Sequence, residues 1–443
     1  MINHLYTIIV IRTTVFIFIA LLFAVSSCGK TQEDTTNNET RAVPVTLEKE
    51  DGKFQIYRDG TPYYIQGVGG SRELEKLVSM GGNSIRTWST NNAGEILDRA
   101  HELGLTVMLG IWLEHERHGF DYDDEEAVRE QKEEVRQKIL RYKDHPALLA
   151  WGLGNEVDLM YTNTRVWHAV EDIAQMVKEL DPNHLVTTVT AGIDREKAQL
   201  IMEKVPSIDY LSINTYAGLE GLPETVRQVG LEGAYVVTEW GPTGHWEIAN
   251  TGWGVPIEQT STEKAEAYLR RYESAIEGDP EKCIGSYAFL WGQKQETTPT
   301  WYGMFLESGH LTEVADAMQY AWTGEWPEDR APGIEQFLVN GQTAYDDIYL
   351  EAGQVYEVAL TPFHPHDEPY EITWEFLPES TDIGAGGDPE ERPTAIEGLI
   401  VEDLGDEGIR FRAPDDSGAY RIFAYVTNDH NKAATANVPF YVN

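Results

Sequence analysis

AWGLGNEVD, residues 150–158, is an apolar run that stops on an amide and a carboxylate. A strand here buries Trp151 and Leu153, yet it ends in Asn155-Glu156 rather than in ordinary turn residues. Two readings of Glu156 compete. Either it caps the next helix, whose dipole favours an acid in the first turn, or it performs chemistry. The rest of the chain decides between them.

Outward from this stretch, strand-like apolar runs recur at 63–67, 83–88, 106–112, 148–154, 185–190, 210–214, 235–239 and 286–291. Segments of helical period follow them. Examples are SRELEKLVSM (71–80), AGEILDRAHELG (93–104), TEKAEAYLRRYESAIE (262–277) and LTEVADAMQYAW (311–322). DDEEAVREQKEEVRQKILRYK (123–143) has acids in its first turn and bases in its last, as a helix dipole prefers. Eight β-then-α units over about 260 residues predict an α/β fold, a (β/α)8 TIM barrel whose parallel strands read as continuous apolar runs. A doubly wound open sheet is the alternative. It would more often open with a Gly-rich phosphate loop, and GVGGSRE (67–73) lacks the full spacing.

The helical pattern ends at WTGEWPEDRAPGIE (322–335), whose Pro and Gly mark a boundary near Pro332. From Gly333 onward there are 22 acidic and 5 basic residues, and about seven short alternating runs separated by turns. That pattern predicts a small all-β immunoglobulin-like sandwich. No exposed aromatic stripe is evident in it, so the expected role is a spacer.

At the other end, Arg12 precedes the uncharged run TTVFIFIALLFAVSS (13–27), which is short for a membrane span, and Cys28 follows directly. Val25-Ser26-Ser27-Cys28 resembles the lipobox of bacterial lipoproteins, which implies lipidation of Cys28 and a membrane-anchored location, periplasmic or on the cell surface. The expected layout is a signal peptide at 1–27, a polar tether at 28–46, a barrel at 47–330 and a sandwich at 333–443. Cys283 is the only other cysteine; a buried inert thiol and no disulfide are expected.

The chain has 74 acidic against 34 basic residues, a net charge of −40. Such a surface repels nucleic acid and anionic membranes, so contact with a membrane is expected only through the lipid anchor. A monomer is expected.

In a TIM barrel, site residues sit at the C-terminal ends of the strands. The second expected strand ends on Arg86-Thr87-Trp88, and the third runs into Trp112, Glu114, His115 and Glu116. The fourth delivers Asn155-Glu156, the sixth Asn214 and Tyr216, the seventh Glu239-Trp240 and the eighth Trp291. Apolar strands that end repeatedly in polar groups are poor stability design and good site design. Carboxylates on strands four and seven face each other across a barrel, as glycosidic hydrolysis requires: one a proton donor, the other an ionised group that attacks the anomeric carbon.

WGLGNE (151–156) and VVTEWG (236–241) resemble the acid/base and nucleophile motifs of the retaining β-glycosidases of glycoside hydrolase clan A. The resemblance covers residues 50–325 or so. It implies Glu156 as acid/base and Glu239 as nucleophile, with Asn155 on the sugar 2-hydroxyl. Arg86 and Tyr216 would then hold Glu239, and Trp291 would floor the catalytic subsite; Trp88, His115 and Trp240 complete the expected substrate-binding set. It implies no cofactor and no metal. Within the clan WGLGNE is most similar to glycoside hydrolase family 2, which includes β-galactosidases, β-glucuronidases and β-mannosidases. That family places large β-domains before its barrel, and this chain departs from that pattern. A barrel followed by one immunoglobulin-like domain looks more like lipoprotein endo-β-glucanases. The expected substrate is therefore a β-linked glycan, a β-glucan (β-1,3-linked among them), cleaved by double displacement. The alternatives are an exo-acting β-galactosidase or β-mannosidase type, a transglycosylase, and a glycan-binding lipoprotein without turnover.

Bland roles stand beside these. Arg86 could be a buried ion-pair partner and Tyr216 a packed loop residue. Trp112, Trp246, Trp253 and Trp301 could stack on sugars or fill core. His115 and His118 in EHERHG (114–119) could line the cleft or its rim. FDYDDEE (120–126) lacks calcium-loop spacing and reads as a charged helix start, and FHPHDEP (363–369) reads as a polar turn.

Overall fold

The computed structural model describes residues 41–443. The expected signal peptide, the lipidated Cys28 and most of the tether lie outside the described residues. The chain begins with an antiparallel sheet of β1 (Val45–Glu50), β2 (Lys53–Arg58) and β3 (Thr61–Tyr63). Asp59 and Gly60, with φ of 49° and 71°, make the β2–β3 turn, the left-handed pair that a two-residue hairpin favours. Val45 and Ile56 are buried with Ile65, Met108, Ala150, Tyr210 and Tyr287 in the lower barrel interior. The Val45 amide donates to Asn183 O at 2.7 Å, and Phe54 N to Glu281 O at 2.9 Å, both just before barrel strands. This sheet therefore plugs the N-terminal mouth. It also corrects the tether boundary: residues 45 and 46 already belong to the fold.

Eight parallel strands follow and close: β4 (Ile65–Gly69), β5 (Ser84–Arg86), β6 (Thr106–Ile111), β7 (Leu148–Leu153), β8 (Leu185–Ala191), β9 (Tyr210–Asn214), β10 (Tyr235–Trp240) and β11 (Cys283–Ala288), with β11 pairing back to β4. Every residue of β6, β7, β10 and β11 is buried, because helices cover the outside and side chains fill the inside. The fold is thus the expected (β/α)8 barrel. β11 departs from expectation by three residues, starting at Cys283 and ending at Ala288. Cys283 is buried, which pushes its thiol pKa up to about 12 and leaves it inert.

A short strand, β12 (Leu311–Thr312), and the barrel's last helix, Glu313–Thr323, precede a two-layer β region. Its first sheet contains β12, β14 (Tyr349–Leu350), β16 (Glu371–Pro378), β19 (Gly418–Thr427) and β20 (Lys432–Val442). The second is β13 (Gly333–Val339), β15 (Val355–Phe363), β18 (Gly408–Arg412) and β17 (Ile400–Asp403). Phe337, Val358, Phe376, Phe411, Ile422 and Phe440 fill the space between them, as inward-facing residues of a sandwich do. β17 lies in a stretch from which no strand was expected.

The sandwich is packed against the barrel. β12 pairs with β20 in parallel, so a strand leaving the barrel is part of the sandwich sheet. Glu258, from the loop after β10, is buried between Lys264 (2.5 Å), Thr298 Oγ1 (2.5 Å) and the Asn437 amide of β20 (2.6 Å). Arg421 donates to Asn437 Oδ1, to the Glu379 carboxylate and to Pro256 O, at 2.6, 2.9 and 2.8 Å. Buried charges need such partners, and these span both domains. Trp253 packs here as well, against Tyr349 and Tyr441 at 5.4 and 5.9 Å between ring centres.

Candidate active site

The strand ends converge on a cleft of about 990 Å³ lined by Trp88, Asn155, Glu156, Tyr216, Glu239 and Trp246, among others. This is the size range of clefts that enclose small organic ligands. Glu156 is not a helix cap. The next helix starts at Val166, and its N-cap is Arg165. Instead β7 ends at Leu153, and Gly154 and Glu156 take left-handed backbone angles, φ 72° and 52°. A Cβ on Gly154 would sit 2.9 Å from Val157 Cγ1. For a glutamate the left-handed region costs about 1–2 kcal/mol, and such strain clusters at functional positions. The turn is held from outside: the Glu156 amide donates to Val189 O at 2.9 Å, and Asp158 accepts from the Ala191 amide and pairs with Lys197.

Glu239, near the end of β10, accepts three hydrogen bonds. Arg86 Nη1 and Trp88 Nε1 reach Oε1 at 2.9 and 2.7 Å, and Tyr216 OH reaches Oε2 at 3.2 Å. Every partner is a donor, an arrangement suited to an ionised carboxylate poised as a nucleophile. Glu156 has the opposite surroundings. Burial, the nearby Glu239 charge and Asp158 push its pKa up to about 7, against the Asn214 amide at 2.8 Å, which favours the ionised form. A carboxyl pushed toward its protonated form beside one ringed by donors is the arrangement of an acid and a nucleophile.

Arg86 also fixes Asn155. Its Nη2 donates to Asn155 Oδ1 at 2.6 Å, and Asn214 Nδ2 approaches the same oxygen at 3.3 Å. With that oxygen occupied, the Asn155 NH2 remains to donate to a ligand. Thr238 Oγ1 in turn fixes the Asn214 oxygen at 2.8 Å.

The structure brings Glu156, Glu239, Arg86, Asn155, Tyr216 and Trp88 together, and it moves three expected residues away from the cleft. Trp291 is 1% exposed, donates Nε1 to Arg72 O at 2.5 Å and packs edge-on against Phe305. It cannot floor a subsite, because β11 stops at Ala288 and the chain turns before reaching it; Phe289 lines the cleft there instead. Trp240 points outward onto Tyr268 and Tyr272. His115 is 1% exposed, stacked between Trp112 and His118, with its pKa lowered to about 4 mainly by burial. Trp301 is core, whereas Trp112 and Trp246 line the cleft. Trp246 is the most open aromatic there, 58% exposed and edge-on to Tyr216.

Sequence reasoning did not reach four things. Asn214 holds Glu156, and Trp88 holds Glu239 rather than simply facing a ligand. Lys294 and Glu296, paired at 2.8 Å, lie in the loop after β11. Finally, residues 384–389 of the sandwich line the cleft. The first two could have been read from strand-end positions; the last carries no local signal. FDYDDEE is a helix start, with Asp124 Oδ1 accepting from Glu126 and Ala127 amides. In FHPHDEP, His364 organises a turn by accepting from the His366 and Glu368 amides.

This barrel, with a glutamate at the end of each of two facing strands, is of the glycoside hydrolase type. Residues 71–240 match the family model described as "Glycosyl hydrolases family 2, TIM barrel domain". Mannan endo-1,4-beta-mannosidase F of Aspergillus clavatus is 40% identical over 60 residues, 13% of this chain and 14% of that protein. "Probable mannan endo-1,4-beta-mannosidase F" of Aspergillus flavus is 23% identical over 211 residues, 44% of this chain and 38% of that protein. The chain thus aligns with well under two thirds of either relative. Among solved structures, β-D-glucuronidase of Dictyoglomus thermophilum has 18% identity and a TM-score of 0.51, over 64% of this chain and 55% of that one. Bacteroides uniformis β-glucuronidase has 14% identity and a TM-score of 0.51, over 90% and 48%. At these identities the likeness establishes the fold.

Proposed function

We propose that the protein is a retaining β-glycosidase acting on neutral β-linked glycans. The observation that carries this reading is the contrast at one cleft between Glu239, held by three donors, and Glu156, which burial and the Glu239 charge push toward its protonated form. Glu239 attacks the anomeric carbon while Glu156 protonates the departing glycosidic oxygen. A glycosyl-enzyme ester forms, and water activated by Glu156, now a base, releases the sugar with its configuration retained. Asn155 donates its free amide hydrogens to a sugar hydroxyl, and Trp246 offers an aromatic face.

Charge supports a neutral substrate. The cations at or beside the cleft are matched: Arg86 by Glu239, Arg117 and His118 by Asp388, and Lys294 by Glu296. No unpaired cation is left among them to receive a uronate carboxylate. A β-glucan is our primary substrate; the names of the Aspergillus relatives support a β-mannan as the second. We carry forward the lipoprotein reading of Cys28, which would display the enzyme at a bacterial membrane where such polymers are met.

The test is incubation of the chain lacking residues 1–28 with β-1,3- and β-1,4-glucans, mannan and galactan. Products are followed by chromatography, and the anomeric configuration by proton NMR. Early accumulation of the β-anomer is expected. Release of the α-anomer overturns the retaining mechanism, and an absence of products from every β-glycan overturns the enzyme reading.

A further inference from the structure

The loop between β16 and β17 leaves the sandwich and crosses to the barrel mouth, where residues 384–389 line the cleft. It is fastened on two sides. On the β6 side, Arg117 donates to Asp388 Oδ2 at 2.6 Å, to Asp388 Oδ1 at 3.2 Å and to Ala385 O at 3.0 Å, and His118 also meets Asp388 at 3.2 Å. Arg117 is itself set by His115 Nδ1 at 3.2 Å. On the β11 side, Lys294 donates to Gly387 O at 2.7 Å. Glu390 accepts from the Thr297 amide at 2.6 Å and the Gly384 amide at 2.9 Å. A forked guanidinium–carboxylate contact fixes orientation as well as distance.

Between the anchors the strap presents backbone. Gly386 and Gly387 are exposed, with φ of 58° and 77°, and among the described residues neither amide has an intramolecular acceptor. A Cβ on Gly386 would lie 2.5 Å from Leu159 Cδ2, and one on Gly387 would lie 3.0 Å from Lys294 Nζ. Glycine is what lets the strap settle this low over the cleft while leaving its amides bare.

We propose that this strap is one wall of a second sugar subsite, next to the catalytic one and shared between the two domains. The ligand is a neutral pyranose unit of the same chain. It is hydrogen-bonded by the Gly386 and Gly387 amides and flanked by Trp112, His118 and Leu159 from the loops after β6 and β7. Arg117, Asp388 and Lys294 are positioning residues: Arg117 is matched by Asp388 and Lys294 by Glu296, and they hold the wall in place. The inference rests on the glycosidase reading and assigns a substrate-binding role to the C-terminal domain.

The experiment compares the full chain with Asp388→Asn and Gly386→Val. For each, kcat/KM is measured on an aryl β-glycoside of one sugar and on oligosaccharides of two to six sugars. In the parent enzyme, kcat/KM should rise with length. In both variants the ratio of oligosaccharide to aryl-glycoside kcat/KM should fall at least tenfold. A loss of folded protein alone lowers both rates together and leaves the ratio unchanged. A length dependence preserved in both variants overturns the subsite. No turnover of any β-glycoside by the parent enzyme overturns the glycosidase reading itself.

Discussion

Arg86 reaches Glu239 with one guanidinium nitrogen, at 2.9 Å, and Asn155 with the other, at 2.6 Å. One side chain thus sets both the nucleophile and the amide that precedes the acid, on three different strands. A lysine offers one compact ammonium in place of the planar fork and does not reproduce this two-nitrogen geometry. Arg86→Lys should lower kcat at least 10²-fold with a small change in melting temperature, checked by steady-state kinetics alongside thermal unfolding. A rate near that of the parent would remove Arg86 from the site.

The two glutamates should fail differently. Glu239→Gln removes the nucleophile, so turnover should be lost on every substrate. Glu156→Gln removes only proton transfer, worth about 10²–10⁴-fold. That loss should shrink sharply on an aryl glycoside whose phenol departs without protonation. Equal losses on activated and natural substrates would dismiss Glu156 as the acid.

The raised pKa of Glu156 predicts a pH dependence of both rate and stability. Turnover should decline as pH rises through about 7, where the acid loses its proton. For stability, the native state binds a proton that the unfolded chain releases between its ordinary value near 4.5 and about 7. Stability therefore falls as pH rises across that window and is unaffected below it, by roughly 3 kcal/mol in all. Glu156→Gln should flatten the slope. Urea unfolding at pH 4.5 and 7.5 measures it; parallel slopes for parent and variant would place the titration elsewhere.

Two tryptophans should separate binding from packing. Trp246 is open to the cleft, so Trp246→Ala should raise KM about tenfold, of order 1–1.5 kcal/mol, with an unchanged melting temperature. Trp291 is core, so Trp291→Ala should cost about 3–5 kcal/mol of stability. The reverse pattern would return Trp291 to the cleft.

Glu258 is buried against Lys264 and Asn437. Glu258→Ala strands the ammonium and should destabilise the protein by about 3–5 kcal/mol. The denaturation midpoint reports it; a shift below 1 kcal/mol would mean that water reaches Lys264.

Much of this was legible in the sequence because barrel strands are buried on both faces and announce themselves as apolar runs. Glu156 and Glu239 stood out as charges placed where such runs end. The aromatic at the end of the eighth strand was misread because alternation sends Tyr287, Phe289 and Trp291 to one face only while the backbone stays extended, and it leaves that geometry after Ala288. Residues 384–389 were out of reach for a different reason. They lie more than a hundred residues beyond Glu239, and a polar glycine-rich loop looks the same whether it faces solvent or a cleft.

β12 and β20 pair although about 120 residues separate them along the chain. Because domains fold as units with the N-terminal one first, the barrel strands can assemble before the strand that pairs with β12 is available. Until then β12 lacks its partner strand and Glu258 its Asn437 partner, although the barrel itself is closed. Completion of the cleft by residues 384–389 is thus a late, post-barrel event in folding, and truncating the gene within the sandwich should yield a barrel dependent on chaperones rather than a smaller enzyme.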